Sequence, residues 1–259
     1  MSAAYEGTAA AWAAGPERLY ALLARLLVDS IAQPLQGLEV RDLGAGTGVV
    51  ARELQQRGAR VSALDIAGDM VAHLQHAGIA AVQGDLLSLP FENRSADGAV
   101  FGFSLSHVDH PVSALQEAMR VTRPGGFIAA AVFATGPRDP SKEAVDQAAE
   151  SFGFAAPAWY VRFKQEVEPL TSRPGLLERC ARAAGLVHVR VREAAVDTGI
   201  VAPEELVAVR LGMAHVAPFV ARLSVGDRAA LTRAAVEALG SNPQRLRPAV
   251  LLLSSTVPA

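Results

Sequence analysis

Three glycines spaced two apart, Gly44, Gly46 and Gly48, follow Val40-Arg41-Asp42-Leu43 and precede Val49-Val50. The order reads as a short strand, a tight turn and the start of a helix. Glycine tolerates positive φ and has no side chain, so a ligand can lie directly on this backbone. The free N–H groups at the start of the following helix face anything electron-rich. The chemistry implied is that of a nucleotide-cofactor loop. The dinucleotide fingerprint is G-x-G-x-x-G. Here the third glycine comes one residue early and Val49 takes the late position, which counts against a nicotinamide-dependent oxidoreductase. Arg60–Asp65 reads as a second strand ending in a carboxylate placed to accept from both hydroxyls of a ribose. Ile66 stands beside it to cover one face of an adenine ring. Ala80–Leu86 reads as a third strand that carries a second acid, Asp85.

A candidate for proton chemistry lies further on. Ala96–Phe103 reads as the fourth strand, and Ser104-Leu105-Ser106-His107-Val108-Asp109-His110-Pro111 follows at its carboxyl end. Ligands of open α/β sheets lie beyond those ends. His107 is the first candidate base, since an imidazole with a pKa of about 6.5 suits proton abstraction at neutral pH. The alternative is that it shapes the cofactor pocket. His215 is a second candidate base. His110 precedes Pro111 and reads as a helix cap. No metal is expected, because His107, Asp109 and His110 lack a further cluster of ligands.

The elements around these residues carry a family resemblance. The order acid, one residue, G-x-G-x-G, from Asp42 to Gly48, resembles motif I of the class I S-adenosylmethionine-dependent methyltransferases. The helix Ala114–Arg123, the Arg123-Pro124-Gly125-Gly126 turn and the apolar strand Phe127–Phe133 resemble the later motif of the type-11 group, which includes the ubiquinone/menaquinone-type enzymes. The resemblance covers residues 40–133 in the right order. It implies a Rossmann-like, doubly wound α/β sheet of about seven strands with the last strand antiparallel, plus a helical lid. It implies S-adenosylmethionine as cofactor and S-adenosylhomocysteine as product. Tyr5, Asp42, Gly44, Ala45, Gly46, Gly48, Asp65, Ile66, Asp85, Leu86 and Ser104 are then the candidate cofactor-binding residues, with Asp85 or the backbone beside it meeting the adenine amino group. Arg41 stands where the family has an apolar residue and is expected as a charge partner for Asp42.

Residues 1–34 read as an N-terminal helical leader with Leu19, Leu22, Leu23, Leu26 and Leu27 at helical spacing. Tyr5 and Trp12 before them resemble the family's leader, which folds over the cofactor; the alternative for both is packing. Residues 35–136 and 171–259 are expected to form the cofactor-binding core. Residues 137–170 and 200–224 are expected to form a helical cap over the substrate. Phe152, Phe154, Trp159, Tyr160 and Phe163 cluster there in a chain that is 5% aromatic. They read either as a cap core or as substrate contacts, with two of the five expected at the substrate. Ser172 is the expected N-cap of a helix opened by Pro174. Val187–Val191 reads as strand six, Pro203 opens helical sequence to about Leu223, Asp227–Leu239 reads as a helix, and Ala249–Thr256 as a strand inserted beside strand six.

Composition bounds the function. The chain has 259 residues, 51% of them apolar, enough for a sizeable core. A net charge of −2 with no basic run argues against a nucleic-acid substrate. The single cysteine, Cys180, fits a reducing cytoplasm. Leu19–Ile31 is too short to span a bilayer, and no membrane partner is expected. Arginine outnumbers lysine, present only as Lys142 and Lys164, which with the alanine content suggests a GC-rich bacterial source. The expected activity is methyl transfer to O, N or C of a small, apolar or aromatic, natural-product-like acceptor in secondary metabolism, by a monomer or homodimer. The alternatives are a relative that binds the same cofactor but catalyses a non-methylating reaction such as cyclisation, and a pure binding module.

Overall fold

The computed structural model describes residues 5–136, 139–241 and 243–259. Seven strands form one sheet: β1 (Glu39–Leu43), β2 (Arg60–Asp65), β3 (Ala80–Gln83), β4 (Ala96–Gly102), β5 (Thr122–Phe133), β6 (Val187–Ala195) and β7 (Ala249–Thr256). Their order is β3-β2-β1-β4-β5-β7-β6. The β3-β2-β1-β4-β5 pairs are parallel, and β7 runs antiparallel to both neighbours. This is the Rossmann-like sheet with an antiparallel last strand that the sequence implied.

The inner strands β2, β1, β4, β5 and β7 are largely buried on both faces, as strands with helical crossovers must be, while the edge strands β3 and β6 are mostly exposed. Successive side chains on a strand point to opposite faces. Val40, Ala63, Val100, Ala129 and Ala131 share one cluster with Leu19, Leu23 and Leu27 of α2 (Pro16–Asp29) and Ala51 and Leu54 of α3 (Val49–Gln56). Leu43, Leu64, Phe101, Ile128, Val132 and Leu253 share the other with Leu115 and Ala118 of α5 (Pro111–Val121) and Leu177 and Ala181 of α8 (Pro174–Ala183). The same alternation corrects the role expected of Arg41. It points away from Asp42: its guanidinium donates to the Ser95 carbonyl at 3.1 Å and lies 4.8 Å over the Phe91 ring, with Glu39 at 4.0 Å.

A third cluster joins helices outside the sheet layers. Val145, Ala148 and Ala149 of α6 (Pro140–Ser151) meet Phe154, together with Val207 and Leu211 of α9 (Pro203–Leu211) and Leu231 and Ala235 of α11 (Val225–Leu239). The helical stretch read from Pro203 to Leu223 breaks at Gly212, where a Cβ would overlap Pro16 and the Ala11 carbonyl, and resumes as α10 (Ala217–Arg222). In the loop read at Gly136–Pro140, residues 137 and 138 lie outside the described residues, as do residues 1–4 of the leader.

Three local readings change. Arg123–Gly126 belongs to β5 as a bulge: Ala96 pairs with Thr122 and Gly98 already with Phe127, and Gly125 takes φ +76° to let the chain loop out. Arg173, with extended backbone, is the N-cap residue of α8; Ser172 instead meets the Thr135 hydroxyl at 2.7 Å. β3 stops at Gln83, and the last rung of its parallel ladder with β2 is the Gly84 N–H donating to the Asp65 carbonyl at 2.9 Å. Among the described residues no helix is long and apolar enough to cross a membrane.

Gly98 gives the fold a direct test. A Cβ there would overlap the ring of Phe127, which packs across the adjoining strand. Gly98→Ala is therefore expected to destabilise the protein by about 1–3 kcal/mol, the range for overpacking, measured by urea unfolding.

Candidate active site

The glycine turn sits at the carboxyl end of β1, and its shape follows from backbone angles only glycine adopts freely. Gly44, Gly46 and Gly48 take φ of 76°, 55° and 87°. The N–H groups of Gly44 and Ala45 donate to the Leu64 carbonyl at 2.8 and 2.9 Å. The carboxylate of Asp65 at the tip of β2 accepts from Gly46 N at 2.8 Å and, through its other oxygen, from Ala67 N at 3.0 Å. The turn is thus held from β2. A Cβ on Gly44 would overlap Ser104, whose hydroxyl donates to the Leu43 carbonyl. Nothing stands within 4 Å of where a Cβ on Gly46 would lie, so this edge of the turn is open.

Phe103 makes the approach of Ser104 possible. It follows β4 with φ 66°, a left-handed conformation that costs a bulky residue roughly 1–2 kcal/mol. Packing against Tyr20 at 5.4 Å and Phe133 at 4.7 Å between ring centroids holds it there.

Asp42 is the unsatisfied group of the site. It is fully buried, and neither carboxylate oxygen has a hydrogen-bond partner. Burial pushes its pKa up to about 7; the backbone N–H of Ala51 opposes this, and Asp65 adds to it. Burial likewise raises the pKa of Asp65, against its backbone N–H donors. Thr47, also buried, leaves its hydroxyl unpartnered. A buried orphan carboxylate beside an open glycine backbone suits a polar, partly cationic ligand.

The remaining expected residues divide. Leu86 is half-buried and stands against Gly44, 3.8 Å from where its Cβ would lie. Ile66 is half-buried and its carbonyl accepts from Gln83 at 3.0 Å. Asp85 is exposed, and its carboxylate accepts from Leu87 N at 2.9 Å in a local turn.

The leader roofs the strand ends. Glu6 accepts from Gly68 N at 3.2 Å, and Asp69 accepts at 3.0 Å from the N–H of Ala9, the first residue of α1 (Ala9–Ala14). Both bonds tie the leader to the start of α4 (Gly68–His76). The Tyr5 hydroxyl reaches Nδ1 of His107 at 2.7 Å, and the His107 ring stacks on Phe163 at 4.4 Å and 5°. Trp159 of α7 (Ala158–Arg162) closes on Tyr5 at 6.0 Å. Trp12 packs on Tyr20 at 4.7 Å. Tyr5, His107, Trp159 and Phe163 therefore form one aromatic wall, while Phe152 and Phe154 pack in the third hydrophobic cluster. Glu6, Asp69 and Gln83 were not foreseen; each acts on a backbone group distant in sequence.

Both histidines stand well below their ordinary pKa. Burial, with Lys164 nearby, lowers His107 to about 4. Burial, with Arg210 and Lys164 nearby, lowers His215 to about 3. His215 lies between α9 and α10, stacked on Tyr160 at 3.6 Å and 2°, with Nε2 unpartnered. Each imidazole is neutral at pH 7 and a weak base. For His107 to accept a proton at Nε2, Nδ1 must carry the hydrogen and donate it to Tyr5.

A family model described as a methyltransferase domain matches residues 41–130. A demethylmenaquinone methyltransferase of Mycobacterium sp. (strain JLS) is 34% identical over 174 residues, 64% of this chain and 74% of that protein. One from Beutenbergia cavernae is 38% identical over 129 residues, 49% of this chain and 52% of that protein. The chain spans only 52%, 40% and 44% of the length of the curated relatives it matches first. Among solved structures, Haemonchus contortus phosphoethanolamine N-methyltransferase 2, in complex with phosphomonomethylethanolamine and S-adenosylhomocysteine, shares the fold with a TM-score of 0.59 at 17% identity. That alignment covers 92% of this chain and 52% of the other.

Asp42 predicts a pH dependence of stability. A free aspartate side chain titrates at 3.8, and burial in the fold moves this one to about 7. The folded protein thus holds this proton longer, and stability falls as pH rises from about 4 to about 7, by at most about 4 kcal/mol at 1.36 kcal/mol per unit. Asp42→Asn is expected to unfold at a higher temperature than the wild type at pH 8, with the gain fading toward pH 4, followed by thermal unfolding across that range.

Proposed function

The chain belongs to the class I S-adenosylmethionine-dependent methyltransferases of the ubiquinone/menaquinone type, and on that premise we propose that it transfers a methyl group from S-adenosylmethionine to an O, N or C atom of a small aromatic acceptor. The acceptor class draws support from the relatives named demethylmenaquinone methyltransferase and from the aromatic wall of Tyr5, Trp159 and Phe163 around His107. The observation that carries the reading is the Gly46 N–H held by Asp65 beside the orphan carboxylate of Asp42.

The residues fit the cofactor. Asp42 offers two unpartnered carboxylate oxygens, Gly44–Gly46 a bare backbone, and Asp65 the unused lone pairs of a carboxylate already fixed by two N–H groups. Leu86 and Ile66 supply apolar surface for a base. The cofactor supplies an electrophilic methyl on a sulfonium, so alignment and exclusion of water do most of the work. Tyr5 and the leader would exclude water. Tyr5 would also set which nitrogen of His107 faces the acceptor. With its pKa depressed, His107 would remove a proton only from an acceptor acidic enough to give it up, such as a phenol hydrogen-bonded in place.

Calorimetry with S-adenosylhomocysteine tests the cofactor reading. Asp65→Ala is expected to weaken binding by about 1.5–3 kcal/mol, as for loss of a charged hydrogen-bond acceptor; unchanged affinity would remove Asp65 from the site. His107→Ala is expected to slow turnover while cofactor affinity holds. Methyl-labelled cofactor then separates the two chemistries: label in the product supports transfer, whereas an unlabelled, rearranged product supports cyclisation.

A further inference from the structure

His107 is held from two sides, and both holds trace back to the leader through direct contacts. On one side the Tyr5 hydroxyl lies 2.7 Å from Nδ1. On the other, the Phe163 ring covers the imidazole at 4.4 Å and 5°. Phe163 stands three residues after Tyr160, so the two share a helical face, and their rings lie 6.0 Å apart. Tyr160 in turn lies flat on His215 at 3.6 Å and 2°. A row of ring contacts thus runs from His215 through Tyr160 and Phe163 to His107.

The far end of this row is fixed to the scaffold. His215 is only 7% exposed and follows Gly212, where a Cβ would overlap Pro16 and the Ala11 carbonyl. One turn earlier, the Ala208 carbonyl lies where a Cβ on Gly15 would stand. The end of α9 is therefore seated on the junction of α1 and α2. α7, which carries Tyr160, buries none of its own residues. Its Arg162 pairs with Asp109 at 2.8 Å, but that pair is exposed at both ends and screened by solvent. Its Trp159 meets Tyr5 at 6.0 Å, tilted by 50°. The stack of Tyr160 on His215 is closer and flatter, and such aromatic pairs contribute beyond the area they bury. Nε2 of His215 has no partner with which to exchange a proton.

We propose that His215 is a positioning residue and not a base: its ring is the platform that seats Tyr160 and α7, so that Phe163 covers His107 and fixes the imidazole against the methyl acceptor. This rests on the methyltransferase reading, in which His107 stands at the reacting end. What His215 contributes is a flat aromatic face, and its nitrogens are dispensable.

NMR of the full chain with S-adenosylhomocysteine tests this without an acceptor. In the wild type the ring protons of His107, identified by their loss in His107→Gln, are expected upfield of those of the exposed His76 and His188, because the stacked Phe163 ring shields them. Phe163→Leu is expected to remove that shift directly. His215→Leu, which fills the site without a flat face, is expected to remove it from a distance, and Tyr160→Leu to do the same by cutting the stack from its other side. His215→Phe, which keeps the face and discards both nitrogens, is expected to retain the shift. An upfield shift that survives both His215→Leu and Tyr160→Leu, or one that is lost in His215→Phe, overturns the proposal. Failure of S-adenosylhomocysteine to bind the wild type in calorimetry overturns the methyltransferase reading instead.

Discussion

The bond between the Asp65 carboxylate and the Gly46 N–H organises the strand-end face. It joins the tip of β2 to the turn that follows β1, and the same carboxylate fixes Ala67 and so the entry to α4. Two strands and two helices are thereby registered by one side chain. The arrangement works because the turn is glycine at each left-handed position. A Cβ at residue 44 would meet Ser104, and one at residue 48 would meet Leu74 and Ile79. A carboxylate that was not buried would compete with water for these N–H donors, so the burial that raises its pKa also makes its hydrogen bonds effective.

Polar groups are arranged differently in the two halves of the site. In the glycine turn the N–H groups of Gly44, Ala45, Gly46 and Gly48 have partners, and the unsatisfied side chains are those of Asp42 and Thr47. Around α6 and α9 the ion pairs Arg210–Asp146 and Lys164–Glu168 are closed, and Nε2 of His215 is unsatisfied. Native folds keep such orphans rare.

Elements whose signals are local were legible in the sequence. β2 and β7 fall at Arg60–Asp65 and Ala249–Thr256 as read, because apolar and β-branched runs there end at glycine, proline or charge. The glycine turn and Asp65 were legible for the same reason: positive φ and a strand-end acid leave a mark in a few consecutive residues. What was not legible depends on which way a side chain points, or on contacts across the fold. Arg41 and Asp42 are neighbours in sequence yet face opposite sides of the sheet. Tyr5 and His107 meet from elements separated by most of the sheet. The helix end at Gly212 is another such case: the close approach of Pro16 and Ala11 that requires glycine there comes from distant parts of the chain.

The placement of β7 has a consequence for biosynthesis. It lies inside the sheet, between β5 and β6, yet is made long after β5. While the ribosome is still translating the cap, the apolar row Ile128–Val132 has no neighbour on that side, and its backbone amides and carbonyls form an open edge of the kind that recruits other chains. β5 therefore gains its second neighbour only when Ala249–Thr256 emerges and slots in.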